Sequence, residues 1–162
     1  MTAVIADTDI LSAFGKVGRL DLLRLLFQQL FIAPAVYHEL LRVERMGFVW
    51  VASVKQMSEV LTLTNDEQAA VERLLSLHPQ LGSGEIESFV LAQTRHLLCL
   101  TNDRQAKSVA RTLNLPFLDL EEILRALKRR GIMTTEALTA LIALIEQQDH
   151  TRIKAKEDIL SD

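Results

Sequence analysis

The sequence predicts an α/β domain, a mostly parallel sheet with helices on both faces. Short apolar runs at Ala3–Ala6, Phe31–Ala33 and Leu97–Leu100 have the length of buried strands. Stretches with helical apolar stripes lie between them, the alternation that builds parallel sheets. Two of the runs also end abruptly in polar residues, at Asp7-Thr8-Asp9 and Thr101-Asn102-Asp103, as strands do where they open into a crevice. The 162 residues suit one domain, and with 49% apolar but only 5% aromatic residues its core must be aliphatic.

Each element follows from local pattern. After the first strand, Leu22, Leu23, Leu25, Leu26 and Leu30 form a helical stripe over residues 20–30. Pro34 suits the first turn of a helix running to about Arg45. Residues 48–54 are rich in Val around Trp50 and read as a strand. Thr64-Asn65-Asp66-Glu67 has capping-box spacing and opens a helix to about Leu77. Pro79 and Gly82-Ser83-Gly84 form a turn, and Glu85 to Thr94 is the next helix. A helix from Arg104 to about Leu113 follows the Leu97–Leu100 strand, and Pro116–Leu118 is a brief strand. Asp119-Leu120-Glu121-Glu122 is a second capping box, for a helix that stops at Gly131. Thr134 or Thr135 caps a last helix through Ile145. The domain is expected over residues 1–147, with 148–162 a polar, mobile tail. There is no repeat, linker or low-complexity segment.

Bulk properties narrow the function. A net charge of −3 argues against nucleic-acid binding through general basicity, but not against a local basic face. The single Cys99 excludes an internal disulfide, and its apolar setting points to a buried thiol rather than a nucleophile. The longest apolar stretch, 20–36, is broken by Asp21, Arg24, Gln28 and Gln29, so no membrane span is expected. With no signal-peptide pattern, the cytoplasm is the expected compartment.

The carboxylates carry the chemistry. In open α/β sheets the functional crevice lies beyond the carboxyl ends of the strands. Asp7 and Asp103 follow strands directly, so the fold itself places them there. Glu39 and Glu85 sit within about two turns of helix starts that face the same crevice. Grouped carboxylates repel one another unless a cation is present, and oxygen-only ligands suit Mg²⁺ or Mn²⁺. His38, His78, His96 and His150 are scattered and no second cysteine exists, so zinc is not expected. Position alone leaves Glu39 and Glu85 open to a surface role, because most acids in any chain are solvated.

Four segments resemble the acidic motifs of PIN-domain nucleases. They are Val4-Ile5-Ala6-Asp7-Thr8-Asp9-Ile10-Leu11, Pro34-Ala35-Val36-Tyr37-His38-Glu39-Leu40, Gly84-Glu85-Ile86-Glu87-Ser88-Phe89-Val90-Leu91-Ala92 and Leu100-Thr101-Asn102-Asp103-Arg104. The resemblance implies a five-stranded parallel sheet and a Mg²⁺- or Mn²⁺-dependent ribonuclease, as in VapC-type toxins of toxin–antitoxin pairs. Asp7, Glu39, Glu85 and Asp103 fall on the metal-binding acids, and Thr101 on the threonine that often precedes the last of them. It also implies a homodimer and an antitoxin partner, for which the Leu-rich stripes at 22–26 and 138–145 are candidate faces beside their core role.

The chain departs from the toxin pattern at three places. Its third acid is Glu, with Glu87 a rival to Glu85. Gln105 stands where many relatives carry a further Asp. The Gly-Glu-x-Glu and Asp-Arg forms are more similar to a less-studied branch of the family. Arg104, Lys107 and Arg111 share one helix face that begins at Asp103, a phosphate track or a solvated surface. Lys128-Arg129-Arg130 sits at a helix C-terminus, where the macrodipole accounts for it. Two other functions stay open. One is a non-catalytic PIN-like module that binds RNA or protein. The other is a haloacid-dehalogenase-type phosphatase using Asp7, although Leu11 and the lone acid of 101–103 depart from that pattern. RNA and DNA are not distinguished as substrates.

Overall fold

The computed structural model describes residues 2–161. Five strands form one all-parallel sheet: β1 (Ala3–Ala6), β2 (Gln29–Ile32), β3 (Glu59–Val60), β4 (Leu98–Leu100) and β5 (Phe117–Leu118). Their order is β3-β2-β1-β4-β5, so the chain builds outward from β1 on one side and then returns to its other side. The switch in direction lies between β1 and β4. Asp7 and Asp103 follow those two strands, which puts both at the crevice where such folds bind ligands.

Among the described residues ten helices flank the sheet: α1 (Thr8–Lys16), α2 (Asp21–Leu26), α3 (Pro34–Arg45), α4 (Val51–Met57), α5 (Asn65–Leu77), α6 (Ser83–Arg95), α7 (Arg104–Thr112), α8 (Leu120–Arg129), α9 (Thr135–Asp149) and α10 (Lys156–Ser161). The core is mostly aliphatic, as composition requires, with Phe14 and Phe89 the largest of its fully buried side chains. No helix among the described residues is long and apolar enough to cross a membrane.

Four segments differ from the sequence expectation. The apolar stripe over 20–30 is not one helix: α2 ends at Leu26, Phe27 turns extended, and β2 starts at Gln29. The chain after Asp7 turns directly into α1 instead of a loop. Residues 48–54 do not form a strand either. Val51 and Val54 are both buried, a helical i, i+3 spacing that Val-rich composition conceals, and strand pairing shifts to Glu59–Val60 beside β2. The last residues, read as a polar tail, fold back on α8 and α9. Ile153 and Ile159 are buried, and the Lys128 ammonium donates to the Leu160 carbonyl. Two apolar side chains are enough to dock a segment that looks polar on average.

Trp50 explains one glycine. A Cβ on Gly15 would lie 2.4 Å from Cε3 of the indole, so α1 presents a bare backbone for the ring to lie against. Both partners are backbone or rigid ring, and neither can yield cheaply. Gly15→Ala is therefore expected to destabilise the fold by about 1–3 kcal/mol. Urea denaturation followed by fluorescence of the single tryptophan measures this, and an unchanged midpoint would contradict the packing.

Candidate metal centre

A cleft of about 400 Å³ opens at the switch point. It is lined by Asp7, Asp9, Glu39, Glu85, Asp103 and Asp149, with Thr8, Ser12, Val36, Gly82 and Gly84 between them. The four acids singled out from the sequence thus share one cleft, although Glu39 and Glu85 lie on α3 and α6 while Asp7 and Asp103 follow β1 and β4.

Each carboxylate is held differently. Asp7 is 3% exposed, and neither of its oxygens has a hydrogen-bond partner among the described residues. Burial pushes its pKa well up and neighbouring Asp9 adds to this, while the nearby Thr101 and Ser88 hydroxyls offset part of it. Ser88 is committed elsewhere, because its Oγ donates to the Gly84 carbonyl at 2.7 Å. The Thr101 hydroxyl is itself buried and has no hydrogen-bond partner among the described residues.

Glu39 Oε2 accepts from Thr8 Oγ1 at 2.5 Å, which ties α3 to the start of α1. Glu85 Oε2 accepts from the Gly82 amide at 3.0 Å, and burial raises its pKa against the help of that bond. Asp103 is the N-cap of α7, its Oδ1 accepting from the Ala106 amide at 2.8 Å. Asp9 Oδ2 accepts from the Asn102 amide at 3.0 Å and so joins the ends of β1 and β4. Burial raises the Asp9 pKa, with the Asn102 bond opposing it.

No group of three His, Cys, Asp or Glu side chains among the described residues stands as a ready metal cage. What remains is a ring of acids around one carboxylate, Asp7, whose two oxygens are orphaned. Buried acceptors without donors are costly, and they point to a positively charged partner. The donor set is oxygen throughout, which fits a hard divalent cation that keeps several of its waters.

Glu87 is placed outside the cleft. It is buried, and its Oε2 accepts from the Ala35 amide at 3.1 Å. Ala33, at the N-cap of α3, has no side chain able to cap the helix, so Glu87 supplies the missing acceptor from α6. Burial raises its pKa, while the Ala35 bond and His38 work against that.

Two acids of the cleft escaped the sequence reading as site residues. Asp9 was visible two positions after Asp7 but carried no separate signal. Asp149 lies in the segment read as a tail. It accepts from Ser12 Oγ at 3.1 Å, pairs with Lys16 Nζ at 3.0 Å and accepts from Thr151 Oγ1 at 2.6 Å. The basic residues Arg104, Lys107 and Arg111 do not enter the acidic cleft; they line a separate groove with Asn102. Cys99 is buried, and burial beside Asp7 pushes its thiol well up, which rules out a thiolate nucleophile near neutral pH. The Leu stripes are mostly core: Leu22, Leu23, Leu26, Leu138, Leu141, Ile142 and Ile145 are buried, and only Leu25 and Leu144 of those helices stand out.

Fold and cleft together define an α/β domain with an acidic crevice at the switch point of a parallel sheet. A PIN domain family model matches residues 3–162, and the chain belongs to that family, whose members are generally nucleases. Among solved structures it is similar to PAE2754 from Pyrobaculum aerophilum, with 18% identity and a TM-score of 0.53 over 88% of this chain and 98% of that one. At that identity the likeness concerns the fold. No curated protein sequence matches the chain significantly.

Proposed function

We propose that this PIN-domain protein is a Mg²⁺- or Mn²⁺-dependent ribonuclease. The observation that carries the reading is the buried, unpartnered Asp7 carboxylate at the floor of a cleft rimmed by Glu39, Glu85 and Asp103. Asp7 and Asp103 would hold the cation, with Glu39 and Glu85 completing its surroundings directly or through water. When bound, the cation supplies Lewis-acid polarisation of a phosphate and lowers the pKa of water. The chain's own work is to orient and accept a proton. Thr8 fixes Glu39 and Gly82 fixes Glu85, each by one oxygen, leaving the other oxygen able to take the proton of an attacking water. Arg104, Lys107 and Arg111 would hold neighbouring phosphates. A toxin role with an antitoxin partner, and a homodimer, extend the reading. Their support is the motif resemblance and the exposed Met46, Phe48 and Val49.

Cleavage of single-stranded and structured RNA, with Mg²⁺, Mn²⁺ or chelator, tests the proposal. Asp7→Asn and Asp103→Asn are each expected to lower the rate by roughly 100- to 1000-fold. Full activity in Asp7→Asn would remove the basis of the assignment. RNA binding without cleavage by the natural protein would favour the non-catalytic module.

Gly84 offers a second check. A Cβ there would lie 2.8 Å from Glu39 Oε1 and 3.1 Å from Val36 Cγ2. The carboxylate can swing away, so Gly84→Ala should cost only about 1 kcal/mol of stability. The displaced Glu39 should nevertheless weaken Mn²⁺ binding by about tenfold. Titration calorimetry would show this, and an unchanged affinity would exclude Glu39 from the cation's surroundings.

A further inference from the structure

Beside the acidic cleft lies a groove of about 540 Å³ with the opposite charge. One wall is α7, with Arg104, Lys107 and Arg111. The other is the strap between α9 and α10, which adds Arg152 and Lys154, positions the sequence alone assigns to a tail. Five cationic side chains thus face a single carboxylate, Glu121. That carboxylate is already engaged, its Oε1 accepting from the Lys154 and Ala155 amides at 3.0 and 3.3 Å.

The strap is built to present its charges. Glu146 takes the Ile153 amide at 3.2 Å, Glu121 takes the next two amides, and the Ile153 side chain is buried. Arg152 and Lys154, flanking Ile153, therefore stand outward on the groove side, both exposed. Lys107 is partly spent on Asp119 at 3.2 Å, and Arg111 lies over the Phe117 ring at 5.4 Å. Arg104, Arg152 and Lys154 make no side-chain hydrogen bond or ion pair within 4 Å among the described residues.

Groove and cleft share both walls. On one, Asp103 faces the cleft and Arg104 the groove; on the other, Asp149 faces the cleft and Thr151 and Arg152 the groove. The Thr151 hydroxyl bonded to Asp149 ties that second boundary together. A chain of phosphodiesters with one phosphate over the acids would carry its neighbours directly between Arg104 and Arg152.

We infer that the α9–α10 strap is the second jaw of a phosphate-binding groove, in which Arg152 and Lys154 grip the substrate backbone next to the scissile phosphate. The inference rests on the ribonuclease reading above, and it assigns a binding role to a segment outside the four acidic motifs. Both residues act at a distance from the reacting atoms, so they raise affinity for RNA without taking part in bond cleavage.

The test is the salt dependence of single-stranded RNA binding, by fluorescence anisotropy in Mg²⁺ with Asp7→Asn protein as the uncleaving parent. Each phosphate contact with a single strand contributes a slope of about 0.7 in log K against log salt. Adding Arg152→Ala and Lys154→Ala should make the slope shallower by about 1.4, equivalent to about 25-fold weaker binding at 0.1 M salt relative to 1 M. The charge-retaining exchange Arg152→Lys with Lys154→Arg should keep the parental slope. In the cleaving protein the double alanine variant should raise KM and leave kcat unchanged. A parental slope in the double alanine variant, while the natural protein cleaves RNA, overturns the strap's role alone. Failure of the parent to bind RNA and of the natural protein to cleave it overturns both readings together.

Discussion

Asp7→Asn is expected to make the metal-free protein more stable while lowering metal-dependent cleavage by roughly 100- to 1000-fold. The two effects share one cause. Asp7 is buried with both oxygens unpartnered and with Asp9 and Glu85 as like-charged neighbours. An acid whose folded pKa lies above its unfolded value of 3.8 keeps its proton in the folded state after the unfolded chain has lost it. The cost therefore sets in as pH rises through 3.8 and stops growing above the raised folded value. Neutral Asn of the same shape avoids it. A gain of about 1–2 kcal/mol is expected near pH 7, a rise in Tm of about 2–8 °C for a chain this size. The gain should vanish below pH 3.8, where both states are protonated. Adding Mg²⁺ or Mn²⁺ should stabilise the natural protein by about 2.7 kcal/mol at a hundredfold excess over Kd, raising its Tm, and leave Asp7→Asn unmoved. Melting curves across pH, with and without the cation, measure all of this. A destabilised Asp7→Asn protein would mean that the carboxylate is a structural anchor instead.

The second large effect lies far from the cleft. Glu67 opens α5 with a reciprocal capping box, accepting from the Thr64 amide at 2.9 Å while Thr64 Oγ1 accepts from the Glu67 amide. The same carboxylate is buried against α6, where it takes Arg95 Nη2 at 2.8 Å and Thr94 Oγ1 at 2.5 Å. The Arg95 guanidinium, with Thr94 and Thr64 assisting, lowers its pKa from 4.5 to about 2. A lowered carboxylate stabilises the fold above its unfolded pKa and loses that contribution as pH falls from about 4.5 through about 2. Discounted for the partly exposed Arg95, the contribution is about 2–3 kcal/mol. Glu67→Gln should lose it at pH 7 yet match the natural protein near pH 2. Glu67→Ala should cost about 3 kcal/mol or more, because it leaves Arg95 and the helix start without their acceptor. Denaturant midpoints at pH 7 and pH 2 decide the matter. An equal deficit of Glu67→Gln at both values would show that charge is not what the network uses.

Much of this was legible in the sequence, for identifiable reasons. An Asp at or just past the end of a buried strand has little freedom, so Asp7 and Asp103 were placed by chain position. The Thr64–Glu67 box and the caps at Asp119 and Thr134 were legible because capping is local, settled within four residues. The all-parallel sheet followed from the alternation of short apolar runs and helical stripes.

Other features needed the folded chain. Two glutamates in Gly84-Glu85-Ile86-Glu87 are chemically alike, and only the seating of α6 against α3 turns Glu85 to the cleft and Glu87 to the bare start of a neighbouring helix. The Val-rich segment at 48–54 has strand composition, but the docking of Trp50 on Gly15 selects a helix after it. Asp149 joins Asp7 in the cleft because α9 packs on α1, and Arg152 and Lys154 join Arg104 in the groove because Ile153 and Ile159 bring the end of the chain back onto α8 and α9. By itself the sequence determined the alternating elements and the two acids at strand ends, since periodicity and capping are properties of neighbouring residues. Which further side chains share the cleft was decided by packing between distant segments, 31 residues apart for Thr8 and Glu39 and 137 for Ser12 and Asp149, and no local pattern records that.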